Sequence, residues 1–272
     1  MSFIKLFLSL AVLPLILTQP ALAHVVWFDY EDGKYELLFG HPEADETEPF
    51  DVSKFREATA YDLSKNLVPG VTELQEDNLF FVPESEIAAL TAFYDNGFYR
   101  SNPDGTSDNL SPEEAAAIDY DNVTNFVKYT KGIYGWSDEI SMPFGLPLEI
   151  MPLQNPLEVK AGENLAIQVL FNGSLIDNAT VEYLGQELSV DENGVLLVPV
   201  EAGGLEVIEA SYNPNGNLDL PYAISYATTL SAELTSPSAS VPEPSFLLGL
   251  SLIGGLTLLG QGKEKHKSNI KK

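Results

Sequence analysis

Two histidines near the start of this chain, His24 and His41, are the residues best suited to chemistry. Imidazole is the commonest metal-binding side chain in proteins. The remaining histidine, His266, lies among the lysines of the C-terminal tail, where no role is expected of it. His24 follows Pro20-Ala21-Leu22-Ala23, which reads as the end of a signal peptide. Lys5 supplies its positive start, Leu6 to Leu17 its apolar stretch and Ala21-Leu22-Ala23 its small-x-small cleavage site. Cleavage there would make His24 the first residue of the mature chain, with an α-amine and an imidazole forming a two-nitrogen chelate. The competing reading is a frayed terminus at which the cut falls by chance. Two imidazoles and an amine suit Ni²⁺, Cu²⁺, Co²⁺ or Zn²⁺, with binding strength generally favouring Cu²⁺. The amine must first lose its proton, at a reference pKa of about 7.7–8.0, so binding is expected to weaken below neutrality. Glu43 and Asp95 are weaker candidates for an added oxygen ligand.

The elements that would position this pair are legible. His24 to Tyr30 and Tyr35 to His41 are runs rich in β-branched and aromatic residues, as strands prefer. Glu31-Asp32-Gly33-Lys34 joins them, and Asp-Gly is a strong hairpin signal. A two-residue turn at Asp32-Gly33 pairs residue 31 with 34, and a four-residue loop keeps that register. Continuing the ladder places His24 opposite His41, with Cβ atoms roughly 4.5–5.5 Å apart on one face. That face also carries Val26, Phe28, Tyr30, Tyr35, Leu37 and Phe39, so the histidines are expected to cap the open end of a packed hairpin. A three-residue loop or a bulge would spoil the register.

At the other end, Val241-Pro242-Glu243-Pro244 precedes an apolar run, Phe246 to Gly260, and then five lysines. An apolar span with a basic flank reads as a membrane segment with its lysines on the cytoplasmic side. The run has about 15 residues against the ~20 usual for a spanning helix. Val-Pro-Glu-Pro, span and basic tail in this order resemble the PEP-CTERM sorting signal of exported bacterial proteins. The resemblance implies processing by an exosortase-type enzyme as partner and delivery to the periplasm or outer cell envelope.

The formal net charge is −26, and the stretch between the two ends is more acidic still, because Lys5 and the tail lysines lie outside it. Such a surface repels nucleic acid and attracts cations. There are no cysteines, which excludes disulfides, iron–sulfur clusters and thiolate metal sites. Gly-x-Ser-x-Gly, HExxH and P-loop patterns are absent, so no enzyme is expected.

The expected organisation is a signal peptide over 1–23, an N-terminal β-rich metal-binding region over 24–146 and a β-sandwich over 147–232. A Ser/Thr/Pro linker over 233–240 leads to the sorting signal over 241–272, with its membrane span at 246–260. In the first region, Phe55 to Tyr61 and Val71 to Val82 alternate like strands, and Glu84 to Leu90 could form a helical turn. Asn96-Gly97 reads as a turn, Ser111-Pro112-Glu113-Glu114 as a helix start, and Val123 to Ile133 as a short strand or helix. In the second, short alternating runs at Leu148–Pro152, Leu165–Phe171, Ala179–Tyr183, Gln186–Val190, Val195–Val200, Leu205–Tyr212 and Tyr222–Leu230 predict an antiparallel sandwich of about 85 residues. The fold class is therefore mostly β: an N-terminal β-rich (α+β) region followed by an Ig-like or prealbumin-like β-sandwich.

Several motifs point to one family. Lys128-Tyr129-Thr130-Lys131, Gly145-Leu146-Pro147-Leu148-Glu149-Ile150-Met151-Pro152-Leu153-Gln154-Asn155-Pro156 and Val169-Leu170-Phe171-Asn172-Gly173 resemble the DUF4198 family, which includes periplasmic proteins associated with nickel and cobalt uptake. The initial-His hairpin, Gly40-His41-Pro42-Glu43 and Tyr94-Asp95-Asn96-Gly97 match its nickel-associated branch. The resemblance implies an envelope protein that holds a divalent transition metal, Ni²⁺ first, for a membrane metal transporter, with His24 and His41 carried over as ligands. One departure is that some relatives carry a further His near the end of the sandwich, where this chain has Ala210-Ser211-Tyr212-Asn213-Pro214. The rival expectation is a structural or adhesive exopolysaccharide-associated envelope protein with no metal role.

Overall fold

The computed structural model describes residues 24–118, 123–201, 205–214 and 222–233. The expected signal peptide, the sorting signal and its span at 246–260 lie outside these residues, as does the linker from 234 on. Among the described residues, no helix is long and apolar enough to cross a membrane.

The chain is mostly β. In order, it forms β1 (Val25–Glu31), β2 (Lys34–His41), β3 (Glu46–Thr47), β4 (Phe55–Tyr61), β5 (Leu67–Val68) and β6 (Gly70–Gln75). There follow β7 (Asn78–Pro83), β8 (Ala89–Ser101), β9 (Ser107–Leu110), the short helix α1 (Pro112–Ala116) and β10 (Val123–Ile133). The second half holds β11 (Leu148–Pro152), β12 (Asn164–Phe171), β13 (Ser174–Ile176), β14 (Thr180–Tyr183) and β15 (Gln186–Glu187). It closes with β16 (Leu196–Pro199), β17 (Ile208–Tyr212) and β18 (Ala223–Ala232). The expected helix start holds: Ser111 and Glu114 form a reciprocal cap, which satisfies two end donors of a helix too short to survive alone.

These strands make three sheets. One runs β1-β2-β7-β6 with β3 on β2; the central one runs β15-β14-β17-β18-β10-β8-β4-β5 with β9 on β8; the third runs β11-β12-β13 with β16 on β12. Strand alternation gives the central sheet two apolar faces. On one face, Ala60, Leu90, Ala92 and Tyr94 pack against Val26, Phe28, Leu37 and Phe39 of the hairpin. On the other, Ala89, Ile133, Val181, Ile208 and Leu230 pack against Leu148, Ile150, Leu165 and Ile167, which makes the sandwich core. Each buried Val, Leu, Ile or Phe among them contributes roughly 1.5–3 kcal/mol, and each alanine less.

The sandwich differs from the expected one in a respect that matters for the site. Its central sheet draws strands from both sides of the expected boundary at 146, because β18 pairs in parallel with β10 from Thr124↔Ala223 to Ile133↔Ala232. Parallel neighbours need a long crossover, and here β11 to β17 supply it. Asn96-Gly97 makes no turn: β8 continues through it, and Asn96 is the extra residue of a bulge opposite Phe126/Val127. Pairing with β4 and β10 on both sides outweighs the local turn preference of Asn-Gly. No helical turn forms over Glu84 to Leu90, and Val123 to Ile133 is a strand.

Candidate metal centre

Asp32 and Gly33 both adopt positive φ, 48° and 86°, the geometry of a two-residue turn whose twist matches that of paired strands. The ladder then runs from Glu31↔Lys34 to Val25↔Gly40, the register expected from the sequence. One step further, the rings of His24 and His41 lie with centroids 4.5 Å apart. His24 also stacks on Phe39 at 5.2 Å and 8°, so the apolar face of the hairpin orients its ring.

A third group joins them that sequence reasoning missed. After His41 the chain reverses through a 3-10 turn, Pro42–Ala44, and the left-handed Asp45 at φ 53°. It comes back along the edge of β2 as β3, pairing Gly40↔Thr47 and His41↔Glu46. The Glu48 amide donates to the Phe39 carbonyl at 2.8 Å. This return brings Glu48 Oε1 to 2.6 Å from His24 Nε2. Ligand atoms of His24, His41 and Glu48 all lie within 4.8 Å of one another, the only such group of three among the described residues. Gly40 permits the approach: it holds φ 146°, and a Cβ there would run into the Glu46 carbonyl.

The weaker candidates separate. Glu43 Oε1 sits 3.3 Å from His41 Nδ1, on the side of the ring that a metal bound at Nε2 would leave free. That is where a ligating histidine commonly meets an orienting carboxylate. Asp95 is not with the pair. It stands at the bulge of β8, where Arg56 Nη2 approaches its carboxylate to 3.1 Å and the Gly97 amide donates to it. The converging ligand atoms are those of His24, His41 and Glu48, and Asp95 is not among them.

The central sheet holds the hairpin from beneath. Lys128, 2 % exposed, donates from Nζ to the His24 carbonyl, and Thr229 donates from Oγ1 to the Val26 carbonyl at 2.7 Å. β1 is a sheet edge whose free carbonyls would otherwise be orphaned in a buried seam, so these two side chains satisfy them and fix where His24 sits. Burial lowers the Lys128 ammonium to about 8, against the pull of Glu209 in the opposite direction. Burial likewise pushes the Glu209 carboxyl up to about 8, reinforced by the neighbouring charges of Glu43 and Glu182. Lys131, on the opposite face of β10, reaches Glu149 at 2.7 Å with both side chains 1 % exposed. Glu149 also accepts from the amides of Phe144 and Gly145. That pair belongs to the sandwich core.

Chemically, two imidazole nitrogens and one carboxylate oxygen are a donor set for a divalent transition metal, with coordination positions left over. The side chains of His24, His41 and Glu48 are 37 %, 22 % and 49 % exposed, so an ion can enter from solvent. Residues 21–213 match the family described as Domain of unknown function (DUF4198). No curated protein matches the chain.

Proposed function

Because the chain belongs to the DUF4198 family and its hairpin brings two histidines and a glutamate together, we propose that the protein binds a divalent transition metal at His24, His41 and Glu48. Ni²⁺ is the first choice, with Co²⁺, Cu²⁺ and Zn²⁺ suited to the same donors. The observation that carries this reading is the convergence of the three ligand atoms within 4.8 Å. If a signal peptidase cuts between Ala23 and His24, the freed α-amine adds a further nitrogen to the same ion. The reading then extends to an exported protein that collects the metal in the cell envelope and hands it to a membrane metal transporter, with the C-terminal PEP-CTERM-like signal read by an exosortase-type enzyme. What supports the export half is the pattern of the sequence ends.

Calorimetric titration with Ni²⁺ near neutral pH tests the site. His41→Ala is expected to lose at least about ten-fold in affinity and Glu48→Gln a similar amount, while Glu43→Ala, which removes only a carboxylate beside the ring, loses less. A Glu43→Ala variant weaker than His41→Ala would assign the ligands wrongly.

A further inference from the structure

The contacts that hold the free edge of β1 break off at their third step. Alternate residues of a strand turn their carbonyls to the same side, and here that side meets β10 and β18 in order. Lys128 of β10 donates to the His24 carbonyl, and Thr229 of β18, opposite Thr130, donates to that of Val26. The same spacing brings the Phe28 carbonyl to the pair Gly132↔Ser231, and Gly132 has no side chain to offer. The Tyr134 ring folds back over Gly132 instead, so that a Cβ there would run into its hydroxyl. That hydroxyl is buried with no hydrogen-bond partner among the described residues, on a residue 7 % exposed. A buried hydroxyl left unpaired is costly, so its position calls for an explanation.

A cavity of about 460 Å³ opens at this break, and both Phe28 and Tyr134 line it. Small-molecule sites commonly fall in the range of roughly 300–1,000 Å³. Its walls are apolar where the hairpin meets the sandwich, with Trp27 from β1 and Leu157, Val159, Leu205 and Val207 from the second half. Asp29, Glu206 and Glu233 complete the lining and are exposed. No lysine, arginine or histidine is among the described residues that line it. Apolar walls, free acceptors and carboxylates without a cation of their own suit a ligand with a donating, positively charged head and an apolar body. The indole of Trp27 adds the ring that cations favour most. A hard metal ion would ask instead for a cage of oxygens, which these walls do not give.

We propose that this cavity binds a small organic ammonium ion with an aliphatic stem, at a site separate from the His24–His41–Glu48 group. The ammonium donates to the Phe28 carbonyl and the Tyr134 hydroxyl, and so repeats at the third step what the Lys128 ammonium does at the first. The stem lies against Trp27 and the aliphatic wall, and the carboxylates draw the cation in from solvent. A lysine side chain of another protein carries the same head and stem, and the test separates that source from a free amine. The two sites share no residue, and each can fail without the other.

Hexylammonium is the probe, titrated by calorimetry in moderate salt, which screens diffuse attraction to the acidic surface. The wild type takes up one ion per chain and melts at a higher temperature with it. Hexanol, with the same stem and no charge, binds at least about ten-fold more weakly, and a capped lysine also binds less tightly than hexylammonium. Tyr134→Phe loses roughly ten-fold in affinity, because a charged donor loses an acceptor. Without ligand Tyr134→Phe melts no lower than wild type, since the hydroxyl it removes had no partner. His41→Ala keeps its hexylammonium, and Tyr134→Phe keeps its Ni²⁺. No uptake by the wild type, hexanol binding as tightly as the amine, or uptake undiminished in Tyr134→Phe overturns the proposal. A capped lysine that binds better than hexylammonium overturns it in favour of a protein partner. A Tyr134→Phe variant that melts lower without ligand overturns it as well, since the hydroxyl would then serve the fold itself.

Discussion

At the scale of the residue, the centre rests on side chains whose orientation is set by neighbours rather than by a bound ion. Phe39 stacks on His24, the Glu48 carboxylate lies 2.6 Å from its Nε2, and Lys128 holds its carbonyl. Such pre-organisation means little rotamer freedom is lost on binding, which leaves more of the ligand energy as affinity. It also makes the start of the chain critical. If His24 is the first residue, extending the protein by one residue turns the α-amine into an amide and leaves both imidazoles untouched. The extended protein is expected to bind Ni²⁺ more weakly by about ten-fold or more, and to lose the decline in affinity that amine protonation causes as pH falls through roughly 7.7–8.0. Titration of the two forms across that interval reads both effects. Equal affinities would remove the amine from the ligand set. Of these residues, His24 and His41 were legible in the sequence because a two-residue turn fixes which strand positions face each other. Glu48 was not, since its approach depends on a 3-10 turn and a left-handed Asp45 that leave no periodic trace. Lys128 and Lys131 stood out only as motif residues. The structure gives them separate physical tasks on opposite faces of β10, one under the hairpin and one inside the sandwich.

At the scale of the element, the proposed metal centre is a hairpin end closed by a returning strand, and Gly40 is where the two come closest. Gly40→Ala would place a Cβ against the Glu46 carbonyl at a φ of 146° that side chains avoid. We expect it to push β3 off β2, lower stability by about 1–3 kcal/mol and weaken Ni²⁺ binding by carrying Glu48 away from His24. Melting temperature and calorimetry on the same sample check both. A variant that melts early but binds normally would show that the position of Glu48 does not matter to the site. The hairpin and most strands of the second half follow from local signals, an Asp-Gly turn in one case and alternation between Gly or Asn turns in the other. What local signals cannot carry is partnership over distance. The parallel pairing of β10 with β18 joins segments separated by the whole crossover, and no residue of either strand encodes it. The same limit hid the opposition of Glu182 and Glu209, each unremarkable alone. Asn96-Gly97 misled in the other direction. Its turn chemistry is real, but Gly97 spends its positive φ of 89° on a bulge, because both flanks of β8 are already paired.

At the scale of the whole molecule, the two apolar cores lie on the two faces of one central sheet, and neither contains a proposed metal ligand. Folding should therefore precede and survive metal loss. Adding a chelator is expected to leave the β circular-dichroism signal intact and to lower the melting temperature only by the binding energy withdrawn, about 2.7 kcal/mol when metal stood at a hundred times its Kd. Collapse of the β signal would mean that the ion is part of the fold. The net charge of −26 draws cations of every kind toward the molecule, so affinity alone does not identify a site. The most direct test of the central claim is X-ray absorption on the Ni²⁺-loaded protein, which counts imidazoles around the metal. Two imidazoles in the wild type, one in His41→Ala and light-atom scattering consistent with a carboxylate are the result expected of His24, His41 and Glu48. A nickel shell of oxygen alone, unchanged by His41→Ala, would contradict it.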